Sequence, residues 1–211
     1  MKTLYILAIL ALGGSAAAQG LSATGGTFIL KSGILQVNGD LRITGGTFAN
    51  DGNLFLTGNL HNDQVMTADG AGSITLKGIV PQTVDGGSAY FAHDLTIDNP
   101  AGIVLNNTLR AGGTVNFTNG IVTAANSAAP LAITGNGSVT GVSDTSHVDG
   151  YVVREGLGSF TYPVGNAAKY QPVTVDLTEN SNGMLARYVA ADAGTGTFGT
   201  TGGLCCRIGG L

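Results

Sequence analysis

Cysteine is nearly absent from this chain: two in 211 residues, adjacent at Cys205 and Cys206. Neighbouring cysteines close a strained ring if they bridge each other, so no disulfide framework is expected, and their spacing is not that of a zinc site. Charge is just as sparse, at 10% of residues, with nine Lys and Arg against thirteen Asp and Glu. No basic cluster stands out. That excludes the positive stripe demanded by nucleic-acid phosphates and the polybasic patch drawn to anionic lipid. Proline occurs five times, always beyond Val80, which leaves the first half free for strands paired on both sides. The chain is not disordered for want of charge, because 43% of it is hydrophobic. Glycine is plentiful, 35 residues, but not at every third position, so collagen is excluded.

The one long apolar run is N-terminal. Lys2 precedes Leu4 to Leu12, and Ala16-Ala17-Ala18 supplies small residues before Gln19. Residues 1–18 read as a secretory signal peptide, too short in its apolar part to span a bilayer. No membrane span is expected in the mature chain, whose formal charge falls from -4 to -5 with the loss of Lys2.

What fills the rest is a repeat. Thr24-Gly25-Gly26-Thr27-Phe28 returns as Thr44-Gly45-Gly46-Thr47-Phe48, 20 residues on. Apolar pairs at alternate positions follow at Leu35/Val37, Leu54/Leu56, Ile74/Leu76, Leu95/Ile97, Val115/Phe117 and Leu131/Ile133, in steps of 19, 20, 21, 20 and 16. Period-2 alternation points these side chains inward and Gln36, Thr75, Thr96 and Asn116 outward. Corners follow the strands at Asn38-Gly39, Thr57-Gly58, Lys77-Gly78, Asn99-Pro100, Asn119-Gly120 and Thr134-Gly135. Most of these corners are expected to supply the positive φ of a tight bend. A single coil buries too little to offset its lost backbone entropy, whereas stacked coils share one interior. The spacing predicts a right-handed parallel β-helix, a solenoid of about six coils over residues 19–142, with Phe28 over Phe48 and Thr27 over Thr47.

The texture changes near Val142. Longer segments alternate aromatic and polar residues, at Tyr151 to Arg154, Ser159 to Val164, Gln171 to Leu177 and Leu185 to Ala190. Residues 143–193 read as a small antiparallel β-sandwich-like module, which need not be complete, covering the open edge of the last coil. Residues 194–211 have no periodicity and read as a loose tail.

Several segments carry a family likeness. They are Tyr90 to Asn99 with Gly102 to Leu105, Gly113 to Val122, His147 to Arg154, Phe160 to Gly165, and Tyr170 to Val175. In that order they resemble the large repetitive surface proteins of Bacteroidetes-type Gram-negative bacteria, exported by the type IX system and described as adhesin-like. The resemblance covers roughly residues 20 to 192. It implies a β-helical stalk followed by a sandwich-like module, and an extracellular or outer-surface location. It brings no catalytic residues. Members usually continue into further domains and a C-terminal sorting module, and none is legible before Leu211.

Right-handed β-helices also host polysaccharide lyases and hydrolases, which need clustered acids or a basic residue beside a calcium cage. Here Asp40, Asp51, Asp63, Asp69, Asp85, Asp94 and Asp98 are scattered, mostly at corners, where Asp favours turns. Only Asp94 and Asp98 flank one strand. His61, His93 and His147 are far apart, with no metal-binding spacing. A calcium site around Asn50-Asp51-Gly52-Asn53 and Asn62-Asp63 competes with plain turn chemistry, which the missing Gly-Gly-x-Gly-x-Asp repeat favours. Ser127 and Ser146 have no elbow motif. The Thr24/Thr44 and Thr27/Thr47 columns suit a structural ladder better than an ice- or sugar-binding array, and Phe160, Tyr162 and Tyr170 alternate as core residues do. The expectation is therefore a secreted or cell-surface structural, adhesin-like stalk that is not an enzyme, with no catalytic, cofactor-binding or metal residues. Its expected partners are extracellular glycans or other surface proteins. The alternative is a carbohydrate-binding or carbohydrate-active β-helix.

Overall fold

A computed structural model describes residues 15–66, 70–178 and 183–190. Among the described residues there are strands and turns but no helix, and hence none long and apolar enough to cross a membrane. The first of the three sheets of the stack runs through Ser15–Ala18, Ile34–Val37, Asn53–Leu56, Ser73–Lys77, Asp94–Asp98, Thr114–Asn119 and Ser138–Thr140, every pair parallel. One strand per turn gives a β-solenoid of about seven turns. The second sheet stacks Leu21–Leu30, Leu41–Asn50, Leu60–Asn62, Gln82–Asp85, Ile103–Leu105, Val122–Ala124, Val148–Gly150 and Val164–Asn166. The third stacks Tyr90–Ala92, Leu109–Ala111, Leu131–Thr134 and Val152–Glu155.

The alternation of apolar and polar residues sets what each strand buries. Leu54, Ile74, Leu95 and Val115 lie in one register column at 0% exposure, and Leu56, Leu76, Ile97 and Phe117 in the next. Gln36, Phe55, Thr75, Thr96 and Asn116 form the outward column between them, half-buried by their neighbours. Thr27 pairs with Thr47 and Phe28 with Phe48, whose rings stack at 5.2 Å and 4°. In these first coils the ten-residue strands Leu21–Leu30 and Leu41–Asn50 bend at Gly26 and Gly46, with φ of 75° and 80°. Their second halves provide the side that the third sheet takes over at Tyr90, whose ring lies 6.4 Å from that of Phe48.

Three expectations need correction. Leu131/Ile133 does not continue the first sheet. It belongs to the third, between Leu109/Ala111 and Val152/Arg154, and the residue opposite Val115 is Val139, 24 positions on. The short step of 16 was a move between faces with the same inward pattern. Second, most corner glycines do not have positive φ: Gly120 and Gly135 do, Gly39, Gly58 and Gly78 do not. They are glycine because coils touch there. A Cβ on Gly39 would lie 1.8 Å from the Gln19 carbonyl oxygen, and one on Gly58 2.3 Å from the Gly39 carbonyl carbon.

Third, the stacking does not stop near residue 142. Val148–Gly150 pairs in parallel with Val122–Ala124, Val152–Glu155 with Leu131–Thr134, and Val164–Asn166 with Val148–Gly150. Among the described strands, antiparallel pairs are Gly158–Tyr162 with Val173–Leu177, Val164–Asn166 with Lys169–Tyr170, and Val152–Glu155 with Met184–Ala186. These strands lie over the end of the stack. Phe160 and Tyr162 are buried edge to face at 5.0 Å, the Arg154 guanidinium lies 4.8 Å from the Phe160 ring, and the Tyr162 hydroxyl donates to the Met184 carbonyl at 2.9 Å. Ser15–Ala18, the last residues of the expected signal peptide, form the first strand of the first sheet. The rest of that segment, Asp69, and the tail with Cys205 and Cys206 lie outside the described residues.

Candidate functional site

The corner aspartates have a common job. Asp40 accepts the backbone N–H of Asn59 at 2.7 Å, Asp51 that of Ala71 at 3.1 Å, Asp63 that of Gly87 at 2.8 Å and Asp94 that of Thr114 at 2.7 Å. Each reaches one turn up the stack, 19 to 24 residues ahead. Asp144 does the same for Tyr170 at 3.1 Å and also binds Lys169 at 2.7 Å, which holds its carboxyl below the usual range. A carboxylate between parallel coils thus satisfies an N–H that the ladder leaves free at the corner.

Asparagines finish the same corners from inside. Asn50, Asn62 and Asn99 are buried, and each accepts the N–H two residues on, at Gly52, Gln64 and Ala101. Asn62 also donates to the carbonyls of Gln64 and Ala89, at 2.9 and 2.8 Å, while Asn50 donates to Ser73 at 2.9 Å. Asn53 accepts the Ser73 hydroxyl. The oxygens that a calcium ion needs around Asn50 to Asn53 and at Asn62-Asp63 are therefore engaged by protein donors. Among the described residues no group of three or more His, Cys, Asp or Glu side chains converges on a point that would hold a metal.

Asp94 and Asp98 sit four positions apart on one strand, about 13 Å along it at ~3.3 Å per residue. That exceeds the carboxylate separation of glycosidases. Asp98 accepts the Asn119 amide at 2.9 Å.

The densest charged cluster lies on the outer side of the second sheet, where register places Arg42, His61 and Asp85 in one column. His61 Nδ1 meets Asp85 at 2.6 Å and Nε2 meets Asp63 at 2.9 Å. Hydrogen bonds to Asp63 and Asp85 raise the histidine pKa above its ordinary 6.5. The Gly87 N–H and His61 together lower that of Asp63. Two acids, a base and an arginine on one face are the ingredients of acid–base catalysis. Here, however, the carboxylates hold opposite edges of one imidazole, and the ring fills the gap that a sugar and a water would need. This cluster escaped sequence reasoning because His61 and Asp85 are 24 residues apart and meet only through register.

The remaining candidates stay apart. His147 is buried, with Nδ1 2.9 Å from the Ser143 carbonyl and Nε2 2.5 Å from that of Asn166. Tyr170 lies 6.2 Å from its ring, as a wall rather than an exposed platform. Ser146 is buried and donates to the Gly120 carbonyl at 3.2 Å, while Ser127 is in an exposed turn. His93 borders Gly113. A shallow groove of about 570 Å³ runs between Asn38, Thr57, Lys77, Ile79, Val80 and Asp98, with Ile79 90% exposed. It offers one cation and one carboxylate. Arg110 stacks 5.0 Å from the outward Phe91 ring and is tied to Glu155.

No protein-family model, no curated protein and no solved structure matches the chain. Among the described residues the corner aspartates and asparagines are turned to holding coils together, and ranks of hydroxyl and amide groups lie on the outer side of the first sheet.

Proposed function

We propose that this is a secreted or outer-surface structural, adhesin-like protein of a Gram-negative bacterium, a β-solenoid stalk without catalysis. One observation carries it: four aspartates at corners of the stack accept N–H groups of the next coil, and a fifth, Asp144, accepts one from the closing hairpin. Acids so placed hold a rod together and are not presented to a substrate. A rod of repeated coils suits a spacer that carries a binding end away from a cell. The sequence likeness to repetitive type IX-exported surface proteins supports the surface location.

A second reading, carbohydrate binding, is favoured by the outer side of the first sheet. Asn53, Ser73, Asp94, Thr114 and Ser138 stand in one column, and Thr75, Thr96, Asn116 and Thr140 in the next. Such a flat polar face suits the hydroxyls of an extended glycan. The test is to incubate the purified chain with a panel of acidic and neutral polysaccharides and to probe a glycan array. Neither cleavage nor binding is expected of a stalk. Array binding abolished by Thr75→Lys with Thr96→Lys would install the second reading, and release of oligosaccharides would overturn both.

A further inference from the structure

The two ends of the stack are finished differently. At the C-terminal end the second sheet closes with the hairpin of Val164–Asn166 and Lys169–Tyr170, and the third with the antiparallel strand Met184–Ala186. Lys169 and Pro172 lie in and just after the last of these second-sheet strands, where they discourage another strand from adding. The first sheet ends there on only three residues, Ser138–Thr140. At the N-terminal end the second sheet stops on Leu21–Leu30, ten residues with no charge and no proline. No described strand pairs with its outer side. Leu21, Ala23 and Phe28 pack on the core only partly buried, and Thr24 to Thr27 are exposed. A long, uncharged, open edge is a template for another strand.

The order of its residues points to which strand. Outward from Gly25-Gly26 the strand pairs Thr24 with Thr27, Ala23 with Phe28, Ser22 with Ile29 and Leu21 with Leu30. The bend at Gly26 divides it into two arms. A two-fold axis along the bisector of that bend lays each arm antiparallel against the opposite arm of a second copy. Leu21 then faces Leu30 and Ala23 faces Phe28, joining the two interiors, while Ser22 faces Ile29 on the outer side. We propose that the Leu21–Leu30 edge is a homodimer interface, through which two copies join end to end about an axis at Gly25-Gly26. At the C-terminal end the second and third sheets finish on antiparallel strands and so offer this edge no matching parallel coil for a head-to-tail filament.

The test uses the full chain and light scattering on a sizing column. Wild type is expected at twice the monomer mass. In S22E/I29E, the carboxylate introduced at position 22 of one copy faces that at position 29 of the other, twice over. The dimer should then weaken about tenfold or more. In S22E/I29K the same pair becomes attractive and the dimer should return. The carboxylate at position 22 lies beside Arg42 in both variants, so its own coil is treated alike. Amide exchange over residues 22–29 should slow with protein concentration in the wild type but not in S22E/I29E. A monomeric wild type, a species larger than a dimer, an S22E/I29E dimer as tight as wild type, or concentration-independent exchange at those amides in the wild type would each overturn the proposal.

Discussion

Replacing Gly58 by alanine tests whether the corner glycines are set by contact between coils. The added carbon would lie 2.3 Å from the Gly39 carbonyl carbon, 2.5 Å from its oxygen and 2.5 Å from Asp40 Oδ1. Ordinary carbon contacts fall at about 3.5–4.0 Å, so the two coils must part by roughly 1 Å at this corner. Three hydrogen bonds resist that: Thr57 N–H to Val37 O at 3.0 Å, Gly58 N–H to Gly39 O at 3.0 Å and Asn59 N–H to Asp40 at 2.7 Å. The blocking atoms are mostly backbone and have no rotamer in which to escape. A loss of about 3 kcal/mol is expected, at the upper end of overpacking costs. For a domain this size that lowers the melting temperature by about 6–12 °C. Gly87→Ala is the control: its new carbon would sit an unstrained 3.5 Å from Asp63 Oδ1, and its N–H still donates to that group. It should stay within about 0.5 kcal/mol of wild type. Thermal melts followed by circular dichroism measure both. Gly58→Ala melting within about 2 °C of wild type, or Gly87→Ala falling as far, would refute the stacking argument.

Leu76→Ala, at a core position 1% exposed, should cost about 2–5 kcal/mol in urea unfolding, while Thr75→Ala next to it on the outward column should be near neutral. Asn62→Ala removes the fully buried amide that donates to the Gln64 and Ala89 carbonyls and accepts the Gln64 N–H. About 2–4 kcal/mol should be lost, with faster amide exchange at Gln64 and Ser88. The His61 cluster makes stability pH-dependent in a defined sense. With its pKa raised, the stabilisation from His61 is complete below about pH 6.5 and lost as pH rises through the raised value. With its pKa lowered, that from Asp63 is complete above about pH 3.8 and lost as pH falls through the lowered value. Urea midpoints measured across this range should fall on the alkaline side in wild type, and His61→Asn should flatten that flank.

Much of the coil was legible because it is local. Leu54/Leu56 and Ile74/Leu76 show their inward faces by alternation alone, and the Thr-Gly-Gly-Thr-Phe copies announce that Phe28 meets Phe48. The corner acids were also readable as turn residues, though not as acceptors for the next coil, since that role depends on which N–H lies one turn ahead. Three things were hidden. Leu131/Ile133 looks like any other inward pair, and a one-dimensional pattern does not say which of three faces holds it. A corner glycine looks the same whether it supplies a left-handed turn, as Gly120 does, or only makes room for the coil below, as Gly58 does. The parallel pairing of Val148–Gly150 with Val122–Ala124 was obscured because the coil lengthens to 26 residues there.

By itself the sequence determined the coil: strand periodicity, a shared interior, and too little charge to sustain a basic nucleic-acid face. Side-chain alternation at period two follows from the geometry of a single strand, so it needs no knowledge of neighbours. Only the tertiary structure decided the vertical register, and with it the Arg42–His61–Asp85 column, the aspartate contacts between coils, the end of the parallel stack beyond Val164 and the open edge at Leu21–Leu30. Those depend on coil lengths of 16 to 26 residues bringing distant positions within hydrogen-bonding reach, and the pattern of a single strand does not say which residue lies one turn ahead.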